Sequence, residues 1–196
     1  MVLNVSRGNA ARVALGASIA LVLVGCSGEP VLVDPGEVPG VVEASQNARG
    51  GSTPGWTWCD GIGSHLYAPT DAPSTWLSFG SAGDAGAVLM DRHRDGASAE
   101  YLIDTITEQA EVCAASSTVA RGSSIEPVAG LDDGEVGWRT ERADGEWGEY
   151  VLVPIDEWRV LAVGFATEEA SAPVDLDDLV SIAREGAQKF PTRTNQ

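Results

Sequence analysis

Asp144-Gly145, set between two runs that alternate apolar and polar residues, constrains this chain most, because such a pair bends a strand back on itself. A two-residue loop of this composition favours the tight turn that joins antiparallel strands, so the flanking runs read as a hairpin. With those two residues as the turn, Arg142 faces Trp147, Trp138 faces Val151 and Val136 faces Val153. Val136, Trp138, Val151 and Val153 then share the core-facing side. Pro154 to Glu157 turns the chain into WRVLAVGFAT, residues 158–167, whose Leu161, Val163 and Phe165 lie on one face of a third antiparallel strand.

Upstream, AVLMDRHR from Ala87 to Arg94 reads as a strand, broken by Asp95-Gly96. From Ser98 to Ala115, Leu102, Ile106, Ala110 and Cys113 recur at offsets of four, four and three, which is one face of a helix. Ser98 suits its N-cap, and Glu100 lies near the positive end of the dipole. A last helix begins after Asp175, with Leu179, Ala183 and Phe190 on one face, and Pro191 stops it. The order of elements predicts an α+β fold: an antiparallel meander of about four to five strands with two amphipathic helices packed on one face.

Arg7 and Arg12 are the only charged residues before Glu29, and Val13 to Val24 is apolar apart from Gly16 and Ser18. The run is too short to span a bilayer as a stable helix. A basic start, an apolar core and a small-residue exit make the layout of an export signal. The exit, Leu23-Val24-Gly25-Cys26, resembles the bacterial lipobox. That resemblance implies a diacylglycerol thioether on Cys26, cleavage before it and acylation of the new amino group. Two or three acyl chains, at about 0.8 kcal/mol per buried CH₂, hold a protein on a membrane far more firmly than one. An ordinary secretory signal followed by a free cysteine is the competing reading. Residues 1–25 are then a lipoprotein signal peptide and 26–55 a lipidated flexible tether rich in Gly, Pro, Ser and Glu. Residues 56–191 form a single extracytoplasmic domain and 192–196 a tail. As coil the tether would span about 30 Å.

The chain carries 12 Lys+Arg against 29 Asp+Glu, a formal charge of -17. Loss of Arg7 and Arg12 with the signal leaves 10 against 29, or -19. A polyanion would be repelled, which excludes nucleic acid as a partner. With Cys26 assigned to lipid, Cys59 and Cys113 remain, and an exported pair reads as one disulfide. It would close a loop of about 55 residues and stabilise by about 4 kcal/mol. The alternative, a redox or metal pair, would need CxxC spacing or a neighbouring His cluster.

Residues 56–190 run through Trp58-Cys59-Asp60, a strand, a helix carrying Glu111-Val112-Cys113, a meander and a terminal amphipathic helix. This layout resembles the PknH-like sensor domains of actinobacterial receptor kinases and their lipoprotein relatives. The resemblance implies an α+β domain with a ligand-accepting cleft and no established catalysis.

Catalytic motifs do not emerge: the sequence has no GxSxG, SxxK or HExxH. Asp91, His93 and Asp95 alternate, so on a regular strand they project from one face and could hold a divalent metal; solvated strand-end charges are the competing reading. His65 stands alone in a Gly/Ser context. Asp132-Asp133-Gly134-Glu135 and Asp175 to Asp178 read as turn and helix-cap residues, since neither has the spacing of a calcium loop. Trp56, Trp58, Tyr67 and Trp76 fall within 21 positions. They could form a stacking platform for a sugar ring or an apolar groove, or instead cover the sheet and shield the Cys59 bridge. No cofactor is implied. The expectation is a membrane-anchored lipoprotein on the extracytoplasmic face of the cell membrane. Its domain would be a non-enzymatic, sensor-like module that binds a small ligand, a glycan or an envelope protein. An envelope hydrolase or metal-assisted enzyme, and a structural spacer, are the other readings.

Overall fold

A computed structural model of the chain describes residues 30–46, 72–91, 96–115 and 123–191. Its strands are β1 (Glu43–Gln46), β2 (Ser74–Ser78), β3 (Asp84–Asp91), β4 (Ser124–Pro127), β5 (Val136–Glu141), β6 (Trp147–Pro154) and β7 (Arg159–Thr167). Helix α1 (Ala99–Ala115) follows β3 and helix α2 (Leu176–Gln188) follows β7. The seven strands form one antiparallel sheet in the order β1-β2-β3-β7-β6-β5-β4. It consists of two meanders, joined where β3 pairs with β7 from Asp84↔Ala166 to Asp91↔Arg159. The sheet is therefore larger than the four to five strands expected. Its added edges, β1 and β4, are only four residues long and too short to show a clear alternation.

The hairpin around Asp144 is real, but its register is one residue away from the expected one. Trp138 pairs with Tyr150, Val136 with Leu152 and Glu141 with Trp147. The amide of Arg142 donates to the Glu146 carbonyl at 2.7 Å and that of Gly145 to the Arg142 carbonyl at 2.9 Å. The loop thus has three residues, and Gly145, at φ 95°, takes the left-handed position that closes it. Because side chains alternate along a strand, the slip sends Val151 and Val153 to the face opposite Val136 and Trp138.

Both faces of the sheet are covered, one helix to each, which corrects the expectation that the helices share a face. Val88, Met90, Trp138, Tyr150, Leu152, Val160 and Ala162 pack under Leu102, Ile103, Ile106 and Ala110 of α1. Leu77, Leu89, Val151, Val153, Leu161, Val163 and Phe165 pack against Leu179, Val180, Ala183 and Ala187 of α2. Strand β7 lies between the two layers, and this accounts for its nearly unbroken apolar run. Caps fix the helix starts as expected. Ser98 Oγ accepts from the Tyr101 amide at 3.1 Å, and Asp175 Oδ1 from those of Asp177 and Asp178 at 3.0 and 3.3 Å.

The tether expected over 26–55 is corrected where it is described, because residues 30–46 belong to the folded unit. Leu32 and Val33 are 1% and 0% exposed, and the Val33 amide donates to Thr75 Oγ1 at 3.4 Å. Asp34 caps a 3₁₀ turn over Pro35–Glu37, Val38 is buried, and β1 pairs with β2 from Glu43↔Ser78 to Gln46↔Thr75. A β-carbon on Gly186 of α2 would collide with the Leu32 carbonyl, so the absence of a side chain there lets the segment seat on the helix. Gly and Pro around three short aliphatic residues look like a linker in composition, yet those three fill a slot in the α2 layer.

Candidate functional site

Helix α1 crosses one face of the sheet and leaves a flank open toward β4, β5 and the 128–135 loop. That loop is held by its own polar atoms: the Glu135 amide donates to the Asp132 carbonyl at 3.0 Å, and Glu135 Oε2 accepts from the Asp132 amide at 3.2 Å. Arg184 reaches from α2 to the Glu135 carboxylate and lies 4.0 Å from that of Asp132. The acidic run read as a turn is therefore a turn, and Arg184, which lies 49 positions from Glu135, fastens it.

Two clefts open between α1 and this wall. One, of about 430 Å³, lies between Thr107, Ala110 and Glu111 of α1 and Ile125, Leu131 and Trp138 opposite. The other, of about 540 Å³, lies between Glu100, Ile103 and Asp104 and the Pro154–Glu157 turn. Both are lined by Val136. Volumes of this order suit a ligand or a short peptide segment. Trp138 is 6% exposed and tilts against Tyr150 with ring centroids 5.7 Å apart, so the floor is packed from beneath.

Asp156 closes the second cleft. Burial alone would raise its carboxyl pKa. The Trp158 amide, the Arg159 guanidinium and the Arg159 amide outweigh that and hold it below the ordinary aspartate range. The contacts are 3.0 Å to each amide and 2.6 Å to Arg159 Nε. Arg159 Nη1 also donates to the Phe190 carbonyl at 2.9 Å, tying the second cleft to the end of α2.

The residues singled out from sequence are distributed differently. Trp76 is in β2, half-buried, opposite Ser45 and Gly86, and lines neither cleft. It belongs to a transverse row that continues through Gly86, Gly164, Tyr150 and Trp138 on the α1 side of the sheet. Trp56, Trp58 and Tyr67 lie outside the described residues, as do Cys26, Cys59, His65, His93 and Asp95. Cys113 falls within α1, but its side chain is outside the description. Asp91 ends β3 opposite Arg159. Among the described residues no group of three or more His, Cys, Asp or Glu side chains could hold a metal ion. Sequence reasoning missed Trp138, Val136 and the α1 flank as a site, although it had placed each on its element. No helix among the described residues is long and apolar enough to cross a membrane. No protein-family model matches the chain, and no curated protein matches it.

Proposed function

We propose that this chain is an exported, lipid-anchored module that binds a ligand in the clefts beside α1 and acts as a sensor-like or accessory subunit at the cell envelope. The observation that carries the binding half is the open flank of α1, a concave surface with an apolar floor that the described residues leave unfilled. The anchoring half rests on the basic start, apolar run and Leu23-Val24-Gly25-Cys26 exit. In this reading Trp138 and Val136 provide the apolar contact and α1 provides the facing wall.

Two measurements test it. The neutral fluorophore N-phenyl-1-naphthylamine should bind the full chain and fail to bind Thr107→Trp, in which an indole fills the first cleft. Equal binding by both proteins would remove the clefts as the site. Intact mass of chain taken from membranes should show diacylglycerol and acyl additions on a polypeptide beginning at Cys26. An unlipidated chain in that fraction would end the anchoring proposal.

A further inference from the structure

We infer that the paired clefts take an extended basic segment of a partner protein, its apolar side chains on the Val136 and Trp138 floor and its cations on a rim of carboxylates. The inference rests on the clefts being the ligand site and names the chemistry of what enters them. Six carboxylates line the two clefts, those of Glu100, Asp104, Glu111, Glu135, Asp156 and Glu157, and among the described residues no Lys, Arg or His does. Two are already engaged, Glu135 by Arg184 and Asp156 by Arg159. The other four form no ion pair with any described residue.

Their spacing decides between a small ligand and a chain. Glu100, Asp104 and Glu111 stand at offsets of four and seven, which is one stripe along the flank of α1. Glu100, in the first turn, also complements the helix dipole, but Asp104 and Glu111 lie beyond its reach. Like charges four residues apart repel, and a cation between them relieves that repulsion. From Glu100 to Ala114 the flank is about 21 Å long at 1.5 Å per residue, the length of six or seven extended residues. A compact organic cation would fill one cleft and leave the far carboxylate unused. A segment with cations interleaved among apolar residues meets both the floor and the stripe, and rim charges of this kind favour encounter and partner choice.

The test uses the full chain and two fluorescent heptapeptides, one alternating lysine with leucine and one alternating glutamate with leucine. Anisotropy should report binding of the lysine peptide alone. Asp104→Arg and Glu111→Arg should each weaken it at least tenfold. Glu108→Arg makes the same charge change at an exposed position on the same helix that lines neither cleft, and should alter affinity less than twofold. All three positions are on the helix surface, and circular dichroism confirms that each variant is folded. Equal weakening by Glu108→Arg would reduce the effect to bulk attraction by an acidic protein and overturn the inference. Uptake of the neutral fluorophore without binding of the lysine peptide would overturn the ligand class and leave the clefts as a site. Failure of both probes would remove the site as well.

Discussion

Arg159 shows how a single residue can escape a sequence reading while fixing local structure. It stands second in a strand by pattern, yet its side chain is buried, 7% exposed overall, and spans Asp156 and the Phe190 carbonyl. Nothing in the run WRVLAVGFAT separates this arginine from a solvated one; its partners lie three and thirty-one positions away. Arg159→Met should destabilise the protein by about 2 kcal/mol, below the range for a fully buried pair because water reaches Asp156, with the urea midpoint lowered at constant slope. The Asp156 carboxyl is held below its unfolded value of about 3.9, so its stabilising contribution is complete above that pH. It is lost as pH falls through the lower folded value. Urea midpoints measured from pH 7 to 3 should fall less steeply at the acid end in Arg159→Met than in the parent. Gly145 poses the opposite case, since its neighbourhood is empty and only its φ of 95° resists a side chain. Gly145→Ala should cost about 1 kcal/mol, visible as a small midpoint shift without loss of the hairpin.

At the level of elements, both helices and the last three strands were legible because each carries its own periodicity, its caps or its turn. What periodicity cannot say is which side of a sheet a helix will cover: it marks the apolar stripe of α1 and of α2 but not the direction each takes on leaving its strand. The clue was the run in β7, where Val160 and Ala162 serve the α1 layer and Leu161, Val163 and Phe165 the α2 layer. The hairpin slipped because Asp-Gly is compatible with both two-residue and three-residue loops, and only the backbone of Arg142 and Glu146 distinguishes them. The same limit hid the candidate site, since its walls come from α1, β4, β5 and a loop that meet only in three dimensions. Where α2 receives the amino-terminal segment, Gly186→Ala should cost about 2 kcal/mol by overpacking against the Leu32 backbone. Hydrogen exchange should then speed up at residues 31–38 while the strands β3 and β7 keep their protection. Equal loss of protection everywhere would mean that the contact supports the whole fold rather than one segment.

Taken together, the described residues are a sheet with a helix on each face, and the folded unit reaches back at least to residue 30 rather than beginning at 56. Leu32, Val33 and Val38 are buried, each worth about 2 kcal/mol when removed from water, or about 6 kcal/mol together. That is comparable to the entire margin of a small domain, about 5 to 15 kcal/mol. A chain begun at residue 30 should therefore unfold in one cooperative urea transition, while one begun at residue 56 should show none and expose its tryptophans in buffer. Composition misjudged this boundary because it averages over a segment in which three side chains do the packing. Leu32 on Gly186 also sets a mechanical limit. Only six peptide units separate it from Cys26, a reach of about 22 Å at full extension. With the proposed acyl group at Cys26, the body would ride close to the lipid on a short leash, with little freedom to swivel. The α1 layer lies across the sheet from that point of attachment. Its visitors would then arrive from the side turned away from the mooring, and ten glycine and serine residues inserted after Ser27 should raise the rotational mobility of the bound module.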